Sequence, residues 1–196
     1  LLACAGAAGP ALEGGAASMG MMAERGVIDQ VSLNGDMEGE LSIHTIGDEP
    51  PRGICGSGLI DLAAALFSTG RIDIRGVLEP EVCGDRYLDD DGIKSFEVVP
   101  AETSATGKAL TISQPELDSL VRSKAAMYTI LETITATVGL TPEDLQTFYV
   151  AGTFGSFIDP RSAITIGMIP DLPLATYERL GNSSLGGATK LLVAPE

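Results

Sequence analysis

The segment Thr147-Phe-Tyr-Val-Ala-Gly-Thr-Phe-Gly-Ser-Phe-Ile-Asp159 is the one on which the reading of the fold turns. Its first half is apolar and β-prone. It runs straight into Gly152-Thr153-Phe154-Gly155, after which the spacing becomes helical. A buried strand ending on two glycines around a phenylalanine fits a tight turn. It fits equally a loop whose backbone lies close to a flat, anionic ligand, because glycine lacks the Cβ that would hold the ligand away.

Two other stretches have the same grammar. Gly53-Ile54-Cys55-Gly56-Ser57-Gly58 precedes a helix that sets Leu59, Leu62, Ala63, Leu66 and Phe67 on one face, with Gly70 as its C-cap. Gly181-Asn182-Ser183-Ser184 precedes a last amphipathic helix. The start of a helix presents free N–H groups, so a glycine loop leading into one suits a phosphate. One such loop is ordinarily a turn. Three in one small chain carry more weight, since in an open α/β sheet such loops gather along one edge.

Composition supports a layered α/β protein. The 196 residues suffice for a real core, 44% are hydrophobic, only 5% are aromatic, and 24 glycines supply turns. A net charge of −15 argues against nucleic acid or an anionic membrane as partner, while leaving room for a nucleotide held by backbone amides. Cys4, Cys55 and Cys83 are too few and too scattered for a disulfide framework or a thiolate cluster, which points to a reduced, cytoplasmic setting. Leu1-Leu2-Ala3-Cys4 is like a lipoprotein cleavage motif without the regions that should precede it. With no initiator Met, the start reads as a cut through a longer protein.

Between the loops the organisation is plain. Residues 27–34 and 40–46 form two strands around Asn34-Gly35-Asp36, a hairpin signal. Residues 71–113 form an irregular acidic and β insert, with short strands at FEVVPA and ALTIS. Asp89-Asp90-Asp91-Gly92 within it reads as a solvated turn, since it lacks the alternating ligands of a calcium loop. Residues 114–138 form the clearest helix, with Ser113 and Glu116 as a capping box. On its apolar stripe Lys124 stands where an apolar residue belongs. Either it snorkels to water along the core, or its ammonium reaches the crevice of the glycine loops. Arg122 follows Asp118 by four residues, the spacing of a surface ion pair. Dipole stabilisation accounts for Asp61 at the start of its helix.

Conventional catalytic sets fail. His44 is the only histidine, it lies in a strand pattern with a surface or satisfied core role as default, and no nucleophile elbow accompanies it. No second histidine or clustered thiols supply a zinc site.

Taken together, AAGPALEGG (7–15), GICGSGLIDL (53–62), ELDSLVRSKAAMY (116–128), FYVAGTFGSFID (148–159) and AITIGMIPDLP with RLGNSSLGGA (163–188) resemble the C-terminal part of the reductive activators of corrinoid proteins. These belong to the acetate and sugar kinase/Hsp70/actin superfamily of ATPases. The resemblance implies an actin-like, ribonuclease H-like lobe with a mixed sheet and flanking helices, plus a small irregular β insert. It divides the chain into 1–70, the insert 71–113, and 114–196 with the nucleoside-side loop. It implies ATP with Mg as ligand, and one-electron reduction of Co(II) to Co(I) in a corrinoid partner protein. The electron would come from an iron–sulfur cluster in an upstream ferredoxin-like domain.

By the same resemblance Gly152, Thr153 and Gly155 flank the adenosine, and Lys124 and Arg122 fall where related ATPases contact base and ribose. Gly56, Ser57 and Gly58 are candidates for the same crevice. Glu13 is a weak candidate for holding Mg through water. The superfamily's two phosphate-gripping Asp-Gly turns and the cluster cysteines are not found in these residues. The expectation is therefore a half-site, inactive alone, with an open sheet edge prone to association or a dimer. Two other readings stay open: an activator ATPase or kinase of the same superfamily serving another low-potential enzyme, and a non-catalytic lobe that docks a partner.

Overall fold

The fold is taken from a computed structural model that describes residues 1–6, 17–34 and 40–194. Strand β1 (Val27–Asn34) lies between β2 (Glu40–Thr45), antiparallel to it, and the short β3 (Gly53–Ile54), parallel to it. The hairpin expected around Asn34 forms, although Gly35 and Asp36 lie outside the described residues. Ile28 faces Thr45 and Gln30 faces His44, so Asp29 is the extra residue of a β-bulge.

Helix α1 (Gly56–Ser68) lies on β1 and is buried without interruption from Gly56 to Leu66. A helix apolar all round belongs inside a core, and this one has no solvent face over its first three turns. Its approach to the sheet is close because Gly58 permits it. A Cβ there would stand 2.6 Å from the Ile28 carbonyl oxygen and 2.9 Å from Ile54 Cγ1.

After a single helical turn, α2 (Pro80–Cys83), a second sheet follows: the meander β4 (Tyr87–Asp90), β5 (Ile93–Val99), β6 (Leu110–Ser113). The acidic run expected as a turn is half strand, since Asp89 and Asp90 pair with Lys94 and Ile93. Only Asp91 and Gly92 turn the chain, both with positive φ, as a tight two-residue hairpin demands. The Asp89 carboxylate accepts from the Gly92 N–H at 3.0 Å and closes the turn.

Helix α3 (Gln114–Thr137) starts where the capping box puts it, with Glu116 accepting from the Ser113 N–H at 2.6 Å. Its first turns enter the core through Leu117 and Leu120, Met127 packs half-buried against it, and Thr135 alone is fully buried beyond them. The last part comprises β7 (Phe148–Ala151), α4 (Pro160–Thr165), β8 (Tyr177–Gly181) and α5 (Ser183–Val193).

Strands β7 and β8 form a two-stranded parallel sheet, with the Phe148 and Tyr177 rings 5.2 Å apart across it. Two sequence expectations change here. β7 is not buried but alternates between half-buried and exposed residues, because the described residues cover only one of its faces. β8 was not foreseen, since Tyr-Glu-Arg-Leu-Gly has neither apolar alternation nor β-branched residues. One apolar cluster joins Ile28 and Ile54 of the first sheet, Leu62 and Leu66 of α1, Phe96 and Ile112 of the second sheet, Leu117 of α3 and Ala163 of α4. No helix among the described residues is long and apolar enough to cross a membrane.

Candidate functional site

The strongest candidate is built at the carboxyl ends of β7 and β8. Gly152 follows β7 with φ of +107° and Gly181 ends β8 with φ of +66°, both in the region that favours glycine. The Gly152 N–H donates to the Gly181 carbonyl at 2.8 Å, so the two loops are one surface. The Gly152 carbonyl in turn accepts from the Ser156 hydroxyl at 2.9 Å, fixing the 3-10 turn Phe154–Ser156 behind it.

Nothing lies within 4 Å of where a Gly152 Cβ would stand. The residue is therefore required by its backbone conformation, and the space beside it is open. Thr153 is exposed at this opening. Gly155 is different: a Cβ there would meet Val150 Cγ1 at 2.6 Å, so it is glycine for packing. Next door, the Asn182 side chain caps α5 by accepting from the Leu185 N–H at 3.0 Å. These loops stand at the carboxyl ends of adjacent parallel strands, the edge along which open α/β sheets take ligands.

The other expected site residues are elsewhere or differently engaged. Gly56, Ser57 and Gly58 form the first turn of α1 and are buried against β1. The Ser57 hydroxyl donates to the Asp29 carbonyl at 3.0 Å, and Cys55 Sγ lies 3.3 Å from the same hydroxyl. Their glycines serve helix-on-strand packing. Two of the three glycine loops are thus brought together, and the third belongs to a different sheet.

Lys124 and Arg122 stand two residues apart on α3, about 200° round the helix, and face opposite ways. Lys124 donates to the Ile166 carbonyl at 2.5 Å, just past the end of α4. Its neighbourhood is a cavity of about 230 Å³ lined by Phe67, Ile72, Leu117, Leu120 and Ile166 among others. Burial against these apolar walls pushes the ammonium's pKa below the usual lysine value. Arg122 is exposed, and the ion pair expected with Asp118 does not form. Asp118 instead accepts from Gln114 at 2.8 Å. Glu13 lies outside the described residues.

Two polar groups take roles that the sequence reading did not give them. Asp29, turned by its bulge, binds His44 Nδ1 at 2.6 Å, which holds the imidazole's pKa above its usual value. Asp61, read as a helix-start residue, sits in the second turn of α1 and is 8% exposed. An acidic residue within Leu59-Ile60-Asp61-Leu62-Ala63-Ala64-Ala65-Leu66 was the available signal, because a helix with no polar face must bury it.

Among the described residues no three His, Cys, Asp or Glu side chains converge to hold a metal. Cys4 is exposed, while Cys55 and Cys83 are separately buried, all three free, so they do not assemble a cluster. What the arrangement offers is a pair of joined loops with open space beside Gly152.

The sequence matches, over residues 1–196, the family described as the C-terminal domain of RACo, the ASKHA domain. It is 33% identical to the corrinoid activation enzyme RamQ of Eubacterium limosum, over 97% of this chain and 33% of that protein. It is 25% identical to the [Co(II) methylated amine-specific corrinoid protein] reductase of Methanosarcina barkeri, over 98% of this chain and 35% of that one. The chain thus spans about a third of the length of these curated relatives. Among solved structures, a reductive activator for corrinoid, iron-sulfur protein superposes with a TM-score of 0.87 at 37% identity, covering 95% of this chain and 30% of that one. The actin-like fold expected from the motifs is therefore the fold observed, and the chain belongs to the RACo C-terminal ASKHA-domain family.

Proposed function

We propose that this chain is the nucleoside-binding part of an ATP-dependent activator that returns Co(II) to Co(I) in a corrinoid protein. The observation that carries the reading is the joined pair of loops at Gly152 and Gly181, open beside a glycine that the backbone itself requires. The named relatives, a corrinoid activation enzyme and a corrinoid protein reductase, supply the reaction class.

In this reading Gly152 and Thr153 lie against the nucleoside, with Gly155 shaping the turn behind them. Arg122, exposed on α3, is the basic side chain free to reach base or ribose. Lys124, which faces away from Arg122, is held by the Ile166 carbonyl instead. Among the described residues no three metal-ligating side chains converge and the three cysteines stand apart, so on this reading magnesium, the triphosphate and the iron–sulfur electron donor are held by other parts of the protein or by its partners. ATP acts on the electron transfer only if it binds two conformations unequally, since a ligand shifts an equilibrium by its differential affinity alone.

The test is calorimetric titration of the full-length polypeptide with MgATP. Gly152→Val places a β-branched side chain at φ of +107°, its Cβ more than 4 Å from any non-adjacent protein atom, and so projects it into the open space. The backbone strain costs about 1–3 kcal/mol of stability. The expected result is a folded variant, by circular dichroism, that has lost its binding heat. Arg122→Ala should weaken binding roughly tenfold, as loss of a charged hydrogen bond does. Binding by a folded Gly152→Val protein with unchanged affinity would move the nucleotide elsewhere and leave the partner-docking reading ahead.

A further inference from the structure

Among the described buried side-chain nitrogens and oxygens, one has no hydrogen-bond partner: Asp61 Oδ1. Its residue sits where α1 is wedged between β1 and α4. Oδ2 accepts a single long hydrogen bond, 3.3 Å from the Val31 N–H of β1. From the other side the Ser162 hydroxyl of α4 faces the carboxyl, without reaching hydrogen-bond geometry with Oδ1. The charged groups that face Asp61 are Asp29 of β1 and Asp159, the N-cap of α4. Both are carboxylates. His44 lies beyond Asp29 and is engaged with it.

An ionised carboxylate has about four acceptor positions to satisfy, and here only the long Val31 N–H bond and the more distant Ser162 hydroxyl are at hand, with Oδ1 left unpartnered. Burial, which outweighs these donors, and two like-charged neighbours both oppose ionisation. A proton removes the conflict. Oδ1–H becomes a donor, the Ser162 oxygen is the acceptor at hand, and Oδ2 keeps Val31.

We propose that Asp61 is a neutral, proton-carrying pin whose Oδ1–H donates to the Ser162 hydroxyl while Oδ2 accepts from Val31, locking α4 onto α1 and β1. Helix α4 begins three residues after Phe157, the end of the Gly152 loop, so the pin sets where that loop stands. Asp61 is on this account a positioning residue for the nucleoside opening. That part of its role rests on the functional reading above, and the pin itself does not.

Burial, foremost, and the nearby carboxylates raise the Asp61 pKa above the usual aspartate value. With the folded value above the unfolded one, the pin's stabilisation is full below the ordinary aspartate range. It fades as pH rises through the folded value.

The experiment compares wild type with Asp61→Asn, Asp61→Ala and Ser162→Ala, by urea and thermal unfolding between roughly pH 5 and pH 9. Infrared spectra of aspartate-labelled protein report the carboxylic acid C=O band. The Asn amide reproduces the proposed pattern, with Nδ2 donating to Ser162 and Oδ1 accepting from Val31. Asp61→Asn is expected to melt at or above the wild-type temperature at neutral pH and to abolish the decline of stability with rising pH. Asp61→Ala is expected to melt lower throughout. A protonated-carboxyl band should be present in wild type at neutral pH and absent in Asp61→Asn.

Equal destabilisation by Asn and Ala, with the pH slope intact, means an ionised carboxylate and overturns the proposal. So does the lack of an acid band in wild type, which decides the matter even where a variant fails to fold. For the loop, Ser162→Ala should weaken MgATP binding by roughly fivefold to tenfold, the worth of one hydrogen bond. An unchanged affinity removes the positioning role. No MgATP heat in wild type defeats the functional reading alone, while the melting and infrared results still judge the pin.

Discussion

His44 and Lys124 show how a single side chain takes its chemistry from its neighbours. His44 is the only histidine in the chain, so its imidazole protons give one clean titration by nuclear magnetic resonance. The hydrogen bond and charge of Asp29 hold its pKa above 6.5, and Asp29→Asn should return it toward that value. The attraction between β1 and β2 that this pair supplies is complete below the unfolded value. It is lost as pH rises through the folded one. An unshifted titration in wild type would show that the pair does not persist in solution. Lys124 has the opposite sign, since burial lowers its value below 10.5. Its contribution to stability is full above the unfolded value and declines as pH falls through the folded one. Lys124→Met keeps the apolar stem and discards the charge, so it should change neutral-pH stability by no more than about 1 kcal/mol. The same variant should show less gain on going to alkaline pH. A loss of several kcal/mol would mean that the Ile166 hydrogen bond matters more than the burial of the ammonium.

At the scale of elements, local pattern carried as far as local causes do. The β1–β2 hairpin and α3 were legible because turn chemistry, capping and periodicity act within a few residues. Strand β8 was not, since Tyr177–Gly181 is a strand only by virtue of pairing with β7. The glycines of these loops look alike in sequence and are unlike in the fold. Gly152 faces open space, Gly155 faces Val150, and Gly58 faces the backbone of β1. What a glycine admits depends on what stands opposite it, and that is fixed by long-range packing. Gly58→Ala tests the point. Its Cβ would stand 2.6 Å from a backbone oxygen that cannot rotate away, so α1 must shift off β1. The expected loss is about 1–3 kcal/mol in urea unfolding, typical of overpacking. A loss below about 0.5 kcal/mol would mean that α1 slides freely on the sheet, against its uninterrupted burial.

On the scale of the whole molecule, stability is unevenly distributed. The fully buried large side chains, Ile28, Ile54, Ile60, Leu62, Leu66, Phe96, Ile112 and Leu117 among them, lie on the first two sheets, α1 and the start of α3. Helix α5 has no buried residue, and Leu185, Leu191, Leu192 and Val193 on it are largely exposed. It follows a sheet of only two strands, an arrangement that is marginal in water unless something packs on it. Local unfolding free energy follows buried contacts, so the β7–β8–α5 region should open without the rest. Hydrogen exchange on this chain alone should therefore show amides of α1, β1 and β5 exchanging near the global unfolding rate. Those of β7, β8 and α5 should exchange at least tenfold faster, a gap of 1.4 kcal/mol or more. In the full-length polypeptide with MgATP the fast set should slow, because a ligand or neighbour that binds only the closed form stabilises it by mass action. Slowing confined to the loops around Gly152 and Gly181 would assign the effect to nucleotide. Slowing along the whole of α5 without nucleotide would assign it to protein packed on the exposed leucines. Uniform protection across the isolated chain would show instead that the glycine-loop sheet is held as firmly as the core, and that its opening is a rigid feature of the fold.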